Sequence, residues 1–268
     1  MPAKAVILAA GRGTRLCPLT PFIPKEMLPV DGLPAIHYVL KELVQAGISD
    51  VMIVLSDGKE SIRDYLTSSV TAKGEEATRL ADERARVLDS INVGFLKQKE
   101  LLGTAHAVGL AASFMGKDPL LVVYPDDLLC KSRSSEVNAQ PTRDLLEMSR
   151  QTGNSVVLAT EIDGREAHKY GVLYMHARED ALSVTDIVEK PAEYHMEKAY
   201  VLIGRMVITP RVMANIPHHR FDDGEGIIPS LIEEAKIGRL SALVYRGERY
   251  DLGSHEGYRA ILRKITAY

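Results

Sequence analysis

Apolar residues in the first half of the chain form short continuous runs separated by amphipathic stretches. Residues 5–9 and 51–55 are apolar at every position, which is typical of strands buried on both faces of a parallel sheet. Between these runs, Ile36, Val39 and Leu43 recur at helical spacing. A strand, a helix and a second strand in this order predict a right-handed βαβ unit.

The same alternation continues to about residue 160. It predicts helices over 59–66, 75–90, 104–114 and 143–151, and strands over 92–96, 120–124 and 155–160. Further along, strand-like runs follow one another with turn residues between them, at 171–175, 184–188 and 200–208. This change predicts antiparallel strands added to the sheet. The last two predicted helices cover 227–237 and 255–265, and Ser254 is a candidate cap for the second.

These elements predict an α/β fold with a mixed, mostly parallel central sheet, flanked by helices and extended by a small β-rich subregion. A chain of 268 residues can form one large domain or two small ones. Its size allows a sizeable core without a disulfide or a structural metal. The pattern contains no internal repeat and no low-complexity tract that would mark a linker.

Composition narrows the functional classes. Lys and Arg number 33 against 36 Asp and Glu, for a formal net charge of −3, which argues against a basic nucleic-acid-binding protein. Cys17 and Cys130 are too few for a disulfide framework, so a reducing compartment is expected. The apolar run at 5–10 is too short for a membrane span or a signal-peptide core, so we expect a cytoplasmic protein that does not bind membranes.

A glycine-rich loop follows the first predicted strand, with the sequence Gly11-Arg12-Gly13-Thr14-Arg15. Glycines at such a place let backbone N–H groups approach an anion closely. The loop is not a dinucleotide fingerprint, because Leu16 stands where the third glycine would be, and no Gly-Lys-Ser/Thr of a Walker A loop follows. An ordinary strand-ending turn would explain the glycines alone, but Arg15 and the nearby Lys25 favour an anion site.

Two segments together carry a family resemblance. Residues 11–18, Gly-Arg-Gly-Thr-Arg-Leu-Cys-Pro, and residues 24–30, Pro-Lys-Glu-Met-Leu-Pro-Val, resemble the opening of the sugar-1-phosphate nucleotidyltransferases. Further motifs extend the resemblance to Gly253, over nearly the whole chain. The second segment is closer to the bacterial uridylyltransferase branch than to the thymidylyltransferase branch, which more often reads Ser-Lys-Gln-Leu-Leu-Pro.

The resemblance implies a Rossmann-like nucleotidyltransferase fold and a reaction between UTP and glucose 1-phosphate that yields UDP-glucose and pyrophosphate. It implies Mg²⁺ as the cofactor, small-molecule substrates and a homo-oligomer, a dimer or a tetramer. It also favours a single domain over residues 1–268, with a nucleotide-binding half at about 1–130, a sugar-binding part at about 155–253 and a C-terminal helix at 254–268.

The resemblance also assigns roles to individual residues. Arg15 and Lys25 would act on the phosphates, and Asp126 and Asp251 would hold the metal. The residues implied in nucleotide binding are Ala10, Gly11, Gly13, Thr14, Gln98 and Gly103. The residues implied in binding the sugar phosphate are Asp127, Gly171, Glu189, Lys190 and Gly204.

Several alternatives stay open at this point. The uridylyltransferases commonly read Gly-Leu-Gly-His-Ala-Val where residues 102–108 read Leu-Gly-Thr-Ala-His-Ala-Val, which leaves dTTP as an alternative to UTP. A non-catalytic sugar-nucleotide-binding regulatory module is a second alternative, because a fold does not fix a function. Taken alone, Asp251 would be an ordinary turn residue and Glu189-Lys190 a surface ion pair.

Overall fold

The computed structural model describes residues 3–131, 136–178, 181–216 and 226–266. The strands are β1 (Lys4–Leu8), β2 (Pro29–Val30), β3 (Leu33–Pro34), β4 (Asp50–Leu55), β5 (Asn92–Lys97), β6 (Leu120–Val123), β7 (Asp127–Cys130), β8 (Ser155–Asp163), β9 (Gly171–Arg178), β10 (Ala181–Glu189), β11 (Lys198–Ile208), β12 (Leu240–Val244) and β13 (Glu248–Asp251). The α-helices are α1 (Ala35–Gln45), α2 (Glu60–Thr67), α3 (Glu75–Leu88), α4 (Gly103–Gly109), α5 (Ala112–Met115), α6 (Gln140–Thr152), α7 (Pro210–Asn215), α8 (Ile228–Lys236) and α9 (His255–Thr266). Short 3-10 helices cover Thr14–Leu16, Lys25–Met27 and Gly164–Lys169.

The chain divides into two compact units. Unit 1 comprises Met1–Leu101, Tyr124–Ala139 and Gly247–Tyr268, and unit 2 comprises Leu102–Val123 and Gln140–Arg246. Both units are therefore built from stretches that are distant in sequence. The single domain expected over residues 1–268 stays a prediction.

Unit 1 contains the predicted βαβ unit. Strands β1, β4 and β5 are parallel, in the order β5-β4-β1, and the continuous apolar runs of β1 and β4 are typical of such a sheet. Helix α1 turns its apolar positions inward, and Ile36, Val39, Leu40 and Leu43 are fully buried. The antiparallel pairs β2–β3 and β7–β13 complete the described strands of this unit.

Unit 2 contains the strand order β6-β11-β8-β12-β10-β9. β11 is antiparallel to β6 and to β8, and β10 is antiparallel to β12 and to β9, while β12 runs parallel to β8. The pairing of β11 with β8 shifts register between Ile203 and Met206, so a β-bulge contains Gly204 and Arg205. The predicted change to antiparallel strands in the second half is confirmed.

The α/β fold class with a mixed sheet is confirmed, and most predicted elements are present with shifted ends. The sheet is less parallel than expected, because among the described strands of unit 2 only the β8–β12 pairing is parallel. The predicted helix over 104–114 is wrong, because α4 ends at Gly109 and α5 begins only at Ala112. Glycine has a low helix propensity, which accounts for a break at this point. The predicted cap of α9 is confirmed, since the Gly257 N–H donates to Ser254 Oγ at 3.1 Å. Over the described part of the chain, no helix is both long and apolar enough to span a bilayer.

A histidine is buried in the first helix of unit 1. His37 on α1 is fully buried, its Nδ1 lies 3.1 Å from the Tyr65 hydroxyl, and its Nε2 is buried without a hydrogen-bond partner. Burial lowers the pKa of His37 from 6.5 to about 4, with Lys41 and Arg84 acting in the same direction and Glu83 opposing them. The folded protein therefore holds this imidazole neutral.

Acidification should destabilise unit 1 through His37. The unfolded chain binds a proton at this residue near pH 6.5 and the folded chain only near pH 4, so stability is lost as the pH falls between these values. We expect about 2 kcal/mol of this loss between about pH 7.5 and pH 5. Urea unfolding of wild type and of His37→Asn, which keeps a hydrogen-bonding group without a titrating ring, measures the difference. The exposed His168→Gln variant is the control, and an unchanged pH slope in His37→Asn would contradict the prediction.

Candidate active site

The glycine-rich loop leaves the carboxyl end of β1. Gly13 has a φ of 68°, which favours glycine, and its carbonyl accepts hydrogen bonds from the Leu16 N–H and the Thr20 hydroxyl. Ala10 is tied to the end of β4, because Ser56 Oγ donates to its carbonyl at 2.8 Å. Gly11 is exposed, and the space where a side chain would be is open. The loop is fixed at both ends and open at Gly11, as an anion-binding loop requires.

Four predicted residues of unit 1 come together beside this loop. Lys25 Nζ lies 2.6 Å from Asp126 Oδ2, and the guanidinium of Arg15 lies 3.4 Å from Asp251 Oδ2 and 4.0 Å from Asp126 Oδ2. The side chains of Lys25, Asp126 and Asp251 are largely buried, whereas that of Arg15 is 60% exposed. Two cations and two carboxylates that are far apart in sequence therefore form one cluster, which we call the ion cluster.

Gly253 allows the ion cluster to close. A Cβ at this position would lie 2.6 Å from Arg15 Nη2, 2.7 Å from Asp126 Oδ2 and 2.8 Å from Asp251 Oδ1. No side chain fits among these atoms, so the glycine of Tyr-Asp-Leu-Gly is required by close approach. The same distances place the two carboxylate oxygens at most 5.5 Å apart.

The backbone around β7 and β13 fixes both carboxylates. The Leu252 N–H donates to the carbonyl of Asp126 at 2.7 Å, and the Gly253 N–H donates to Asp251 Oδ1 at 2.8 Å. Asp251 stands directly opposite Asp127 in the antiparallel register of β13 and β7. The short strand pair therefore sets the position of both metal-ligand candidates.

The charges in the ion cluster are interdependent. Burial of Asp126 disfavours its ionised form and acts to raise its pKa. The attraction and hydrogen bond of the neighbouring Lys25 act in the opposite direction, and the pKa of this carboxyl lies below its usual range. Burial raises the pKa of Asp251, and repulsion from Asp127 and Asp126 raises it further, against the attraction of Arg15 and Arg249. Asp251 is therefore a carboxyl group whose ionised form the protein disfavours, mainly through burial.

The donor set fits a hard divalent cation. Asp126 and Asp251 bring carboxylate oxygens close together, and burial, with added repulsion from the neighbouring carboxylates, raises the pKa of Asp251, which a bound cation would oppose. Among the described residues, no group of three or more His, Cys, Asp or Glu side chains is placed to hold a metal. A pair of carboxylates completed by substrate phosphate oxygens is the usual arrangement for Mg²⁺.

Asp127 lies outside the ion cluster, in an ion pair of its own. Its carboxylate is buried and accepts from Arg249, whose Nη2 lies 2.6 Å and whose Nε lies 2.8 Å from Oδ1. This pair joins β7 to β13 and therefore supports the strands that hold Asp126 and Asp251. The expected contact of Asp127 with the sugar stays a prediction.

The predicted base-reading residues are placed separately. Gln98 directly follows β5 in unit 1 and is buried. Its backbone N–H donates to the Leu55 carbonyl at 2.8 Å. In unit 2, Gly103 has a φ of 85° and opens helix α4. Their roles in binding the base stay predictions. Thr14 is the first residue of the 3-10 helix that contains Arg15, and its role in binding the nucleotide also stays a prediction.

In unit 2, three of the predicted sugar-phosphate residues are neighbours. Glu189 pairs with Gly171 across β10 and β9, and its Oε2 lies 3.0 Å from the position of a Cβ at Gly171. Lys190 Nζ lies 2.8 Å from Glu189 Oε1. Lys190 also has a φ of 45°, which is strained for a residue with a side chain. Gly204 lies on β11, in the bulge described above.

A buried ion pair next to Lys25 has no counterpart in the sequence-based predictions. Glu26 is fully buried, and its Oε2 accepts from Lys59 Nζ at 2.7 Å. The position of Glu26 inside the Pro-Lys-Glu-Met-Leu-Pro segment was available from sequence, but its partner lies 33 residues away. Arg249 and Gly257 were also missed, because the ion pair of Arg249 with Asp127 and the close approach of Gly257 to the Asp251 backbone belong to no recognised motif.

Comparisons with known proteins find relatives over nearly the whole chain. The family model described as Nucleotidyl transferase matches residues 4–267. A UTP–glucose-1-phosphate uridylyltransferase of Pseudomonas aeruginosa is 32% identical over 269 residues, covering 96% of this chain and 94% of that protein. One of Bacillus subtilis is 31% identical and covers 95% and 88%.

A solved structure extends the similarity to three dimensions. The crystal structure of a UDP-glucose pyrophosphorylase complexed with UDP-glucose has a TM-score of 0.86 with this chain, at 27% identity, and the match covers 100% of both chains. Sequence and structure therefore agree over the whole length of the chain. This protein belongs to the nucleotidyl transferase family.

Proposed function

We propose that this protein is a UTP–glucose-1-phosphate uridylyltransferase, which converts UTP and glucose 1-phosphate to UDP-glucose and pyrophosphate. The observation that carries the proposal is the ion cluster, in which Arg15, Lys25, Asp126 and Asp251 converge beside a glycine-rich loop. The names of the relatives from Pseudomonas aeruginosa and Bacillus subtilis support the same activity.

The chemistry explains why such a site needs no general base. A phosphate oxygen of glucose 1-phosphate, already anionic, attacks the α-phosphorus of UTP. A new P–O bond forms, the bond between the α- and β-phosphates breaks, and pyrophosphate leaves with the bonding electrons. The protein has to neutralise charge and hold the reacting groups in line. Cations and a metal-binding carboxylate pair meet these needs.

The two cations would act at different phosphates. Lys25 is largely buried and fixed by Asp126 at 2.6 Å, so it would hold a constant position near the α-phosphate, where charge builds up. Arg15 is more than half exposed and its contacts with Asp126 and Asp251 are longer, so it would reach the β- and γ-phosphates and the departing pyrophosphate. The backbone of the loop at Ala10, Gly11, Gly13 and Thr14 would contact the triphosphate.

Mg²⁺ fits the carboxylates of Asp126 and Asp251. When bound, the metal would supply positive charge to the phosphate oxygens as the reaction proceeds. The protein holds Asp251 Oδ1 with the Gly253 N–H, so this ligand keeps its orientation. The divalent metal used by the nucleotidyl transferase family in general supports this assignment.

Base and sugar would be recognised by separate residues. The Gln98 side chain has both a donor and an acceptor, which suits the adjacent carbonyl and N–H of a pyrimidine, and Gly103 would lie against the base. In unit 2, Glu189 would accept hydrogen bonds from sugar hydroxyls and Lys190 would bind the sugar phosphate, with Gly171 beside them. Gly204 and Asp127 are further candidates for sugar contact.

The substrates are small molecules, and neither nucleic acid nor a membrane is proposed as a partner. We place the protein in the cytoplasm, where UTP and glucose 1-phosphate are available, and propose that it forms a homo-oligomer, a dimer or a tetramer. The bacterial relatives support the cytoplasmic location. The family resemblance supports the homo-oligomer.

A second candidate substrate is dTTP, which would give dTDP-glucose. It is favoured by one observation, the departure of residues 102–108 from the pattern common in the uridylyltransferases. A non-catalytic sugar-nucleotide-binding module of the same fold is disfavoured, because such a module has no need of a complete ion cluster.

A nucleotide panel tests the base assignment. With glucose 1-phosphate and Mg²⁺, pyrophosphate release should be faster with UTP than with dTTP, by at least about tenfold in kcat/KM, which corresponds to about 1.4 kcal/mol of discrimination. A tenfold preference for dTTP would replace UTP by dTTP in the proposal. Binding of UDP-glucose without turnover of any nucleoside triphosphate would favour the regulatory module.

Replacing Asp126 tests the ion cluster. Asp126→Asn removes the charge that fixes Lys25 and one proposed metal ligand, so turnover should fall by about 10²- to 10³-fold or more. Circular dichroism should show a folded protein. Asp82→Asn, on the exposed side of helix α3, is the matched control and should keep wild-type turnover. Equal activity of the two variants would remove Asp126 from the mechanism.

Replacing Gly257 tests the position of Asp251 without changing either carboxylate. A Cβ at Gly257 would overlap the backbone carbonyl of Asp251, so Gly257→Ala must move α9 or β13. We expect the Mg²⁺ concentration for half-maximal rate to rise about 10- to 100-fold. Gly109→Ala, where a Cβ meets only Ile216 at 3.4 Å, is the helix control. An unchanged Mg²⁺ dependence in Gly257→Ala would argue against Asp251 as a ligand.

A further inference from the structure

Glu26 and Lys59 form a nearly dry ion pair beside the candidate active site. Glu26 is fully buried, the side chain of Lys59 is 7% exposed, and Lys59 Nζ lies 2.7 Å from Glu26 Oε2. Glu26 lies in the 3-10 helix Lys25–Met27, and Lys59 immediately precedes α2. Burying two opposite charges is expensive, and well-packed apolar residues of similar volume often stabilise a protein as well or better. Stability alone is therefore a weak reason for this pair.

The turn that carries Lys25 is anchored on two sides. Lys25 donates to Asp126 Oδ2 at 2.6 Å, and the next residue, Glu26, accepts from Lys59 at 2.7 Å. Glu26 also attracts Lys25 electrostatically, although burial raises its own pKa. The carboxylate of Glu26 thus acts on both lysines, while its Oε1 is buried and makes no hydrogen bond.

The apolar residues shortly before this turn are exposed and do not anchor it. Phe22 is 84% exposed, and Leu19 and Ile23 are also exposed for apolar residues. Within the turn, the Met27 N–H donates to the Pro24 carbonyl at 2.8 Å, and the Leu28 N–H donates to the Lys25 carbonyl at 3.2 Å. These bonds shape the turn but do not attach it to the rest of unit 1. The buried pair attaches it towards α2, because Lys59 follows β4 and precedes the buried Ile62. The other attachments are the Lys25–Asp126 bond and, after the turn, the Ala35 N–H, which donates to the Leu28 carbonyl at 2.9 Å.

We propose that Glu26 and Lys59 are positioning residues for Lys25: their buried ion pair holds the 3-10 turn so that the Lys25 ammonium meets the α-phosphate of the nucleotide. This inference rests on the proposed function for the phosphate contact of Lys25. Neither residue touches the substrate. They act by fixing the direction in which the turn presents its first side chain.

Four variants separate positioning from stability. Glu26→Gln and Lys59→Met each leave one buried charge without its opposite charge, so both should lower the Tm and kcat. The double variant Glu26→Met with Lys59→Met removes both charges and should recover the Tm. Its kcat should stay about 10²-fold below wild type, as expected for a misplaced group, with KM for UTP changed much less. Lys59→Arg keeps the charge and should recover part of kcat.

A second readout does not depend on turnover. Brief acetylation with acetic anhydride, followed by peptide mass spectrometry, measures how accessible the Lys25 amine is. Lys25 should be labelled several-fold faster in the double variant than in wild type. The control is Lys41→Met with Glu83→Gln, which removes a partly exposed ion pair between α1 and α3 and should change neither kcat nor the labelling of Lys25.

The outcomes are distinguishable. Recovery of both Tm and kcat in the double variant, or unchanged labelling of Lys25, would make the pair purely structural and overturn the inference. If wild type releases no pyrophosphate from UTP and glucose 1-phosphate, the proposed function fails. The labelling result still decides whether Glu26 and Lys59 fix Lys25.

Discussion

The closeness of two buried carboxylates is the constraint around which unit 1 is built. Asp126 and Asp251 have oxygens within 5.5 Å of each other, in a place where water screens their repulsion poorly. Lys25 neutralises Asp126 strongly enough to lower its pKa, while Asp251 keeps a raised pKa despite Arg15. The cluster therefore favours the ionised form of Asp126 and, mainly through burial, disfavours that of Asp251. A divalent cation would stabilise the ionised form of Asp251.

Short elements rather than long ones carry this arrangement. β7 and β13 have four residues each, yet they place Asp127 opposite Asp251 and are joined by the Arg249–Asp127 ion pair. Helix α9 approaches so closely that Gly257 has no room for a side chain. Because strand pairing, ion pair and helix all act on the same few residues, a small shift in any of them would be transmitted to Asp251.

The sequence predicts the framework of this fold better than its site geometry. β1 and β4 are recognisable because strands buried on both faces are apolar throughout, and α1 is recognisable from its helical spacing. β7, β13 and the two-residue strands β2 and β3 are too short for a periodic signal. The family motifs indicate Arg15, Lys25, Asp126 and Asp251, and the structure brings all four together. The Glu26–Lys59 pair could not be inferred, since its residues share no local pattern and meet only through tertiary packing.

Local charge, rather than net charge, then decides what this protein can bind. A formal net charge of −3 would repel a polyanion at long range, but that effect is screened within about one Debye length. Close to the loop, the substrate would meet Arg15, Lys25 and backbone N–H groups, and the metal would cancel the two carboxylates. The two carboxylates alone would repel a triphosphate, but they would attract the metal, and the metal would attract the triphosphate. Nucleotide and metal should therefore bind cooperatively, because each supplies the charge that the other needs.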